Sequence, residues 1–332
     1  MVDMSGITNT AYPQKFAITF AGQGSQSVGM MAGFAANTII RDTFDEASAL
    51  INTDLWEIIV NGPAEVQNKT INTQPLMLTA GVATWRAWQA ATSLLPTHFA
   101  GHSLGEYTAL VASGALTFQD ALPMVRFRAE AMQSAVPDGV GAIAAILGLS
   151  ADAVRQVCLE AADGEVLEAV NLNSPGQIVI AGNKNAVERG MAMAKIKGAK
   201  RALMLPMSVP SHCALMKPAA EKLRLYLKDV MIKVPTIPVI QNADVVAFNQ
   251  VEEIKLALVR QLYQPVRWIE TIDYIAHAGA PNIIECVPGK ILTGLNKRID
   301  STLNCMAVID NASLQTAIAH LLGNTENVHP AL

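Results

Sequence analysis

The sequence predicts an α/β fold in which a large layered domain is interrupted once by a small one. Two stretches carry this prediction. A Gly-x-Ser-x-Gly motif at residues 101–105 follows a short strand pattern and precedes a helix pattern, the context of a serine on a sharp strand-to-helix turn. Residues 142–207 then read β-α-β-β-α-β, a ferredoxin-like order complete within about 65 residues. Helices and strands alternate again after this stretch, as expected of a layered α/β body.

We therefore expect an α/β-hydrolase-like large domain with an inserted ferredoxin-like (βαββαβ) subdomain. The large domain should comprise residues 15–137 and 207–322, and the inserted subdomain residues 138–206. Residues 1–14 are small and polar without periodicity, and they are predicted to form a flexible N-terminal extension. Residues 323–332 are predicted to be a C-terminal tail.

The large domain opens with a buried strand at residues 16–20, which runs into a glycine-rich turn at residues 22–26. This turn does not match the dinucleotide-binding motif Gly-x-Gly-x-x-Gly, because position 27 is serine, and it has no P-loop lysine. Two interpretations stay open. The turn either needs glycine only for its backbone, or its backbone N–H groups help to bind an oxyanion.

Prolines are expected to shape the helices on both sides of the serine motif. Residues 31–95 are mostly helical in pattern, with breaks expected at Gly62-Pro63 and Gln74-Pro75. A further helix has a capping signal at residues 117–120, and Pro123 suggests that this helix begins near the last of them.

Arg128 lies at the edge of the apolar stripe of that helix. The stripe is formed by Leu122, Val125, Ala129 and Met132. At 100° per residue, Arg128 falls beside this stripe rather than opposite it. An arginine in such a place either extends its guanidinium to solvent or pairs with an anion. The helix pattern leaves both interpretations open.

The inserted subdomain is predicted from apolar runs separated by capping and turn residues. Its predicted elements are a strand at 142–149, a helix from Ser150 to Ala162, a strand at 166–173, a turn at 173–176, a strand at 177–181, a helix from Asn183 to Lys197, and a strand at 202–207. Ser150 and Asn183 are the expected N-caps of its two helices.

Composition and charge restrict the class of protein and of partner. The chain has 332 residues, 51% of them hydrophobic, so it can bury a large core. Its formal net charge of −4 gives no basic field for nucleic acid or an anionic membrane. Neither a spanning helix nor a signal peptide is recognised, so a cytoplasmic location is expected. The four cysteines are widely separated, which predicts neither a zinc site nor disulfides.

The serine motif makes Ser103 the candidate nucleophile. Gly101 and Gly105 flank it where side chains would crowd a tight turn. The free N–H groups and the dipole at the start of the following helix favour a developing oxyanion. Such a serine needs a base. Of the six histidines, His212 is the strongest candidate, because it lies in a loop rigidified by Pro210 and packing does not explain it.

Several short motifs occur in the order seen in malonyl-CoA:acyl carrier protein transacylases, and the chain resembles this family from about residue 15 to residue 310. The matching stretches are residues 22–26, 101–107, Arg128, Asn171, Asn173, 175–177, 209–212, 260–263 and 288–295. The resemblance implies transfer of a malonyl group from malonyl-CoA to the phosphopantetheine thiol of acyl carrier protein, supplying fatty acid chain elongation. It implies no metal and no cofactor.

The resemblance also implies a role for each matching residue. Ser103 corresponds to the acylated serine, and His212 to its base. Gln23 and Leu104 correspond to the residues whose backbone N–H groups form the oxyanion hole. Gln261 corresponds to the residue whose backbone carbonyl orients the histidine.

Arg128 corresponds to the arginine that binds the malonyl carboxylate. An arginine can hold a carboxylate through two parallel hydrogen bonds, and a malonyl carboxylate would therefore be the anion that pairs with Arg128. A hydrolase of neutral esters would leave the same charge unpaired. The chain departs from the family pattern at Ala21, Pro123 and Cys286, and these departures concern local backbone geometry rather than a catalytic group.

The implied partners are malonyl-CoA and an acidic acyl carrier protein, and we expect the protein to be a monomer. The densest basic cluster, which is the candidate docking surface for the carrier protein, comprises Lys195, Lys197, Lys200 and Arg201. Lys290 is a second candidate.

Three alternatives remain at this point. An acyltransferase of a polyketide pathway would use the same chemistry. A serine thioesterase or hydrolase would use water as the acceptor and would not depend on Arg128. A catalytically silent carrier-protein-binding module would not need Ser103, His212 and Arg128.

Overall fold

A computed structural model describes residues 13–207, 209–286 and 289–323 of the chain. These residues form two sheets covered by helices. The strands are β1 (Phe16–Phe20), β2 (His98–Gly101), β3 (Gly141–Leu147), β4 (Leu167–Ser174), β5 (Gln177–Asn183), β6 (Arg201–Met204), β7 (Val239–Ile240), β8 (Asn282–Glu285) and β9 (Asn304–Ala307). The α-helices are α1 (Thr38–Ile51), α2 (Leu55–Asn61), α3 (Ala64–Gln67), α4 (Thr70–Ala91), α5 (Gly105–Ala112), α6 (Phe118–Gln133), α7 (Ala151–Ala161), α8 (Lys184–Ile196), α9 (Lys217–Tyr226), α10 (Val251–Gln261), α11 (Trp268–His277), α12 (Ile291–Ile299) and α13 (Asn311–Leu321).

The larger sheet is parallel and has the strand order β7-β2-β1-β8-β9. Its central strand β1 is buried at every residue. Ile18 of β1 lies in register with Phe99 of β2 and with Ile284 of β8. Because parallel strands share one direction, the segments that follow β1, β2 and β7 emerge at the same edge of the sheet. The glycine-rich turn and the serine motif therefore meet there.

The smaller sheet is antiparallel and has the strand order β4-β5-β3-β6. Helices α7 and α8 cover one of its faces and bury residues such as Ile146 and Ile178. Its other face carries Ile143 and Val179, which pack with Cys213 beyond β6. The element order β3-α7-β4-β5-α8-β6 is ferredoxin-like. The predicted fold class is therefore confirmed, while the domain boundaries stay predictions.

Helix α4 corrects the expected break at Gln74-Pro75. The helix runs without interruption from Thr70 to Ala91 and contains Pro75. Pro75 is the sixth residue of the helix, and it removes one backbone hydrogen bond, the one to the carbonyl oxygen of Ile71, because proline has no N–H. The residues around it are buried on every side of the helix, so tertiary packing outweighs that loss.

Helix α6 likewise begins before its proline. It starts at Phe118, and the backbone N–H of Asp120 donates to the side chain of the N-cap Thr117 at 3.1 Å. The capping signal was therefore correct, whereas a start delayed by Pro123 was wrong. The last strand of the smaller sheet ends at Met204, three residues before its predicted end.

The two predicted caps of the smaller subdomain behave differently. The side chain of Ser150 accepts a hydrogen bond from the N–H of Ala153 at 3.2 Å, as a cap does. Asn183 occupies the N-cap position of α8, but its side-chain oxygen instead accepts from the N–H of Val166 at 2.9 Å. The predicted terminal extension and tail fall almost wholly outside the described residues. No helix in the described ranges is long and apolar enough to cross a membrane.

Candidate active site

The serine motif forms a strained turn between β2 and α5. Ser103 has a φ of +52°, which places a non-glycine residue in the left-handed region and costs of order 1–3 kcal/mol. A Cβ atom on Gly101 would overlap the carbonyl group of Gly105, and one on Gly105 would overlap the carbonyl oxygen of Phe20. Glycine is required at both places because the turn packs directly against the end of β1.

Ser103 and His212 are hydrogen-bonded. The distance from Ser103 Oγ to His212 Nε2 is 2.8 Å. On the other side of the ring, His212 Nδ1 lies 2.6 Å from the backbone oxygen of Gln261 at the end of α10. A carbonyl oxygen can only accept, so Nδ1 carries the proton and Nε2 is left free to accept the serine proton. Gln261 takes the place of the acid that usually orients such a histidine.

His212 is held in its uncharged form. Burial, and next to it the positive charge of Arg128, lowers the pKa of His212 to about 3. The imidazole is therefore neutral throughout the physiological pH range, as a general base must be. Its loop is anchored by a hydrogen bond from the His212 N–H to the carbonyl oxygen of Leu262 at 2.9 Å.

Arg128 points into the site rather than to solvent. Its side chain is buried, and its two terminal nitrogens donate to Gln74 Oε1 at 2.8 Å and to Gln261 Oε1 at 2.9 Å. The second of these nitrogens also lies 3.3 Å from Ser103 Oγ. The guanidinium sits 5.2 Å from the ring centroid of Tyr107. The interpretation of Arg128 as an arginine that extends to solvent is therefore wrong.

The charge of Arg128 lacks a carboxylate partner. Among the residues that the structure describes, no acidic oxygen lies within 4.0 Å of its nitrogens. The two glutamine oxygens that it contacts are neutral. A buried cation with neutral partners beside a serine hydroxyl is a site prepared for an anion.

Gln23 and Leu104 lie on two loops that meet next to Ser103. A Cβ atom on Gly22 would lie 3.4 Å from the backbone nitrogen of Leu104, so the glycine-rich turn approaches the serine motif closely. Within the described ranges, neither the N–H of Gln23 nor that of Leu104 has a hydrogen-bond acceptor. Both groups are therefore available to an oxyanion.

The structure adds residues that sequence reasoning missed. The side chain of Gln74 holds Arg128, and the side chain of Gln261 both accepts from Arg128 and donates to the carbonyl oxygen of Ser103 at 2.9 Å. The sequence contained no signal for Gln74, whose neighbour Pro75 had suggested a helix break.

Asn242 is the second missed feature. It follows β7 and is fully buried. Its side-chain oxygen accepts from the N–H of Ser103 at 2.6 Å, and its side-chain nitrogen donates to the carbonyl oxygen of Gly101 at 2.6 Å. Its own N–H donates to Glu106 Oε2 at 2.7 Å. The one available signal was its position at the carboxyl end of a short apolar run, where ligand sites of parallel sheets lie.

A cavity of about 460 Å³ leads to Ser103 between the two sheets. Its walls include Gln23, Leu104, Arg128 and His212, and also Asn173 of β4. The smaller subdomain thus forms one wall. The half-buried His102 contacts this wall through a hydrogen bond of 2.8 Å between its Nε2 and Asn173 Oδ1. Five of the predicted site residues line this cavity, namely Gln23, Ser103, Leu104, Arg128 and His212. Gln261 does not line it, and its backbone oxygen orients the ring of His212.

The residues of the predicted basic cluster do not line the cavity. Lys195 is in α8, and Lys197, Lys200 and Arg201 follow up to the start of β6. All four are exposed, and Lys197 forms an ion pair with Glu160 at 2.6 Å. The strand that begins with Arg201 leads to Leu205, which lines the cavity.

Comparison with known proteins agrees with this geometry. Residues 18–316 match the acyl transferase domain family. The malonyl CoA-acyl carrier protein transacylase of Salmonella typhimurium is 52% identical over 305 residues, which cover 92% of this chain and 99% of that protein. The acyl-carrier-protein S-malonyltransferase structure from Burkholderia pseudomallei 1710b has a TM-score of 0.91 at 56% identity and covers 92% of this chain and 99% of its own.

A further solved structure contains a type II PKS acyl-carrier protein in complex with its malonyl-transacylase. It has a TM-score of 0.91 at 50% identity and covers 92% of this chain and 100% of its own. Both solved structures share half or more of their aligned residues with this chain, so the likeness extends to the sequence as well as to the fold. The chain therefore belongs to the acyl transferase family, among the malonyl CoA-acyl carrier protein transacylases.

Proposed function

We propose that the protein transfers a malonyl group from malonyl-CoA to the phosphopantetheine thiol of acyl carrier protein and so supplies fatty acid chain elongation. The observation that carries the proposal is the buried Arg128 cation, which has no carboxylate partner within the described part of the chain and lies 3.3 Å from the hydroxyl of a histidine-bound serine. The reaction needs an acid-bearing acyl group, a nucleophile and a base. The site offers a group for each.

In the first step, His212 Nε2 takes the proton of Ser103 Oγ as Oγ attacks the thioester carbonyl of malonyl-CoA. The N–H groups of Gln23 and Leu104 stabilise the negative charge on the carbonyl oxygen. The C–S bond then breaks, and the histidine proton passes to the departing CoA thiolate. A malonyl ester on Ser103 remains.

In the second step, His212 removes the proton of the phosphopantetheine thiol. The sulfur attacks the ester carbonyl, and the same two N–H groups hold the oxyanion. The C–O bond to Ser103 breaks, and the proton returns to Oγ. The carrier protein leaves with the malonyl thioester, and the serine is regenerated. Every group used belongs to the chain or to its two substrates, so the proposal includes no cofactor.

Arg128 selects the acyl group in this proposal. Its guanidinium binds the malonyl carboxylate, while hydrogen bonds to Gln74 and Gln261 hold the guanidinium in place. A neutral acyl group leaves the buried cation unpaired, which is costly. The same argument separates this proposal from a hydrolase of neutral esters.

Intact-mass measurement tests the reaction directly. The protein is mixed with malonyl-CoA, and holo acyl carrier protein is then added, with Ser103→Ala as the control. We expect a malonyl adduct that requires Ser103 and moves to the carrier protein. An adduct that decays to malonate at one rate with or without carrier would identify a hydrolase. The absence of any adduct would refute the proposal.

Docking of the carrier protein is proposed at Lys200 and Arg201, with Lys195 as an outlying contact. Acyl carrier proteins are acidic, so exposed cations near the cavity should receive them. Lys197 contributes less, because Glu160 already neutralises it. We further propose that the protein acts as a monomer in the cytoplasm.

Charge reversal tests this surface. Lys200→Glu combined with Arg201→Glu should raise the KM for holo carrier protein at low salt and leave the first acylation step unchanged. Lys222→Glu combined with Lys228→Glu, at two exposed positions in and after α9, makes the same charge change away from the cavity lining. Equal effects of the two double variants would refute this docking surface.

A further inference from the structure

The strained turn of the serine motif includes a backbone N–H whose partner lies outside the motif. Ser103 adopts a positive φ between a strand and a helix that begins only at Gly105. Its N–H lies before the helix, so no carbonyl of α5 can accept from it. The partner is instead the side chain of Asn242, which lies 139 residues further along the chain.

The side chain of Asn242 binds the backbone of the serine motif at the residues before and after His102. Its amide oxygen accepts from the N–H of Ser103 at 2.6 Å, and its amide nitrogen donates to the carbonyl oxygen of Gly101 at 2.6 Å. A side-chain amide carries an acceptor and a donor side by side and stays uncharged at every pH. The N–H of Ser103 needs an acceptor, and the carbonyl oxygen of Gly101 needs a donor.

Glu106 in turn holds Asn242. Its Oε2 accepts from the backbone N–H of Asn242 at 2.7 Å, and its side chain is fully buried in the first turn of α5. Helix α5 follows the motif directly, so the contacts close a ring. The motif leads into α5, Glu106 of α5 binds the backbone of Asn242, and the side chain of Asn242 binds the motif.

We propose that Asn242, held in place by Glu106, is the positioning residue of the nucleophile. Its amide keeps Ser103 in the left-handed conformation that sets Oγ at 2.8 Å from His212 Nε2 and leaves the N–H of Leu104 free for the oxyanion. The role rests on the proposed function only in taking Ser103 as the group that reacts. Asn242 itself does not line the cavity, and it contacts Ser103 through the backbone N–H rather than through the reacting Oγ.

The substitution Asn242→Asp gives a test that depends on pH. A protonated aspartic acid presents a carbonyl oxygen to Ser103 N–H and a hydroxyl to the carbonyl oxygen of Gly101, as the amide does. An ionised carboxylate presents two acceptors and opposes the Gly101 oxygen. The variant should therefore regain activity as the pH falls.

The expected size of the effect is large. At pH 8 the rate constant of Ser103 malonylation should fall roughly a hundredfold in Asn242→Asp, because the buried carbonyl oxygen of Gly101 loses its donor and faces a carboxylate oxygen instead. The ratio of variant to wild type should recover about tenfold on acidification to pH 5.5, at which an aspartic acid in a buried, acceptor-rich site is largely protonated. Asn242→Ala should be slow at every pH, with no such recovery.

Other ionisable groups near position 242 are shared by all three proteins. They are Glu106 of α5, Arg128 of α6, Asp244 and its partner Arg260, Arg267 before α11, and the two histidines His102 and His212. A pH effect caused by any of them would appear in Asn242→Ala as well. Only Asn242→Asp should show an additional dependence of its malonylation rate on pH.

Asn282 is the matched control. It is also fully buried, and its amide makes three hydrogen bonds, to Gln14, to the carbonyl oxygen of Lys15 and to His320. It begins β8, so it lies at the opposite edge of the parallel sheet from Ser103. Asn282→Asp should lower the thermal stability without changing the malonylation rate of the folded protein.

A reaction that does not involve malonyl separates this proposal from the proposed function. Phenylmethylsulfonyl fluoride reports whether Ser103 and His212 are aligned, whatever the acyl substrate is. If the wild type is sulfonylated on Ser103 but not malonylated, the proposed function fails, and the Asn242 comparison is then made on sulfonylation.

Two outcomes would overturn the positioning role. One is a folded Asn242→Asp protein whose rate ratio does not change with pH. The other is an equal loss of rate in Asn282→Asp at matched stability. If Asn242 variants do not fold, Glu106→Leu removes the support one step away. Glu106→Leu should lower the rate constant of Ser103 malonylation at least tenfold. Glu106→Gln restores the acceptor for the N–H of Asn242 and should recover most of that loss. No recovery would refute the proposal.

Discussion

Replacement of Arg128 by alanine should exchange malonyl selectivity for acceptance of neutral acyl groups. The guanidinium is buried, and among the residues that the structure describes it contacts only neutral groups, so a bound carboxylate would give it a charged partner that those residues do not supply. Losing one member of a buried pair costs about 3–5 kcal/mol, which corresponds to a roughly 150-fold to 5,000-fold fall in kcat/KM for malonyl-CoA. Transfer from acetyl-CoA should rise, because no uncompensated charge then faces the methyl group.

The same substitution should alter the pH dependence of acetyl transfer. The charge of Arg128 helps to lower the pKa of His212, so its removal must raise that pKa from its value of about 3. General-base activity is lost as the pH falls through the pKa of the free enzyme's histidine. The acidic limb of kcat/KM should therefore move to higher pH in Arg128→Ala than in the wild type.

The assay is acyl transfer to holo carrier protein from malonyl-CoA and from acetyl-CoA, from about pH 2.5 to pH 8, so that the range includes the wild-type His212 pKa of about 3. Arg126→Ala is the matched control. Arg126 lies in the same helix, but it is part-exposed and donates to the carbonyl oxygen of Ile51 at 2.8 Å. A variant of Arg128 that kept its malonyl preference would show that the carboxylate binds elsewhere. An acidic limb that moved to lower pH would refute the electrostatic argument.

Three smaller predictions follow from single contacts. Gln74→Leu removes a hydrogen bond to charged Arg128, so kcat/KM for malonyl-CoA should fall about tenfold to a hundredfold with acetyl transfer unaffected. Gly101→Ala should abolish folding or greatly lower the melting temperature, because its Cβ would overlap backbone, whereas Gly294→Ala in α12 meets no atom within 4 Å and should stabilise by roughly 0.5–1 kcal/mol. All four cysteines are buried, and burial raises the pKa of Cys213 to about 12, so native protein should resist iodoacetamide and unfolded protein should take up four labels.

Local sequence signals predicted the parts of the site that local structure builds. The serine motif is specified by glycines whose Cβ atoms would overlap their neighbours, and the apolar strand before it is buried as its composition indicates. Thr117 and Ser150 cap helices as their residue types predict. In each case the interacting groups lie within a few residues of one another.

The missed parts depend on contacts between distant segments. Gln74 meets Arg128 across 54 residues of sequence, and Asn242 meets Ser103 across 139. No periodicity or capping pattern marks such residues, because their partners are chosen by the packing of α4 and β7 against the serine motif. The error at Pro75 has the same origin. Local preference predicts a break, and the burial of α4 between α1 and α6 overrides it.

Acyl selection and base strength are coupled through Arg128. In the free protein its charge weakens His212 as a base, since it helps to lower the pKa of the imidazole. His212 and Arg128 both contact Ser103 Oγ, His212 Nε2 at 2.8 Å and a terminal nitrogen of Arg128 at 3.3 Å. A bound malonyl carboxylate would neutralise the charge of Arg128 and so raise the basicity of His212. Under the proposed function, a malonyl group would therefore strengthen the base that activates Ser103, whereas a neutral acyl group would not. Arg128 would then favour acylation by malonyl-CoA through the base as well as through binding.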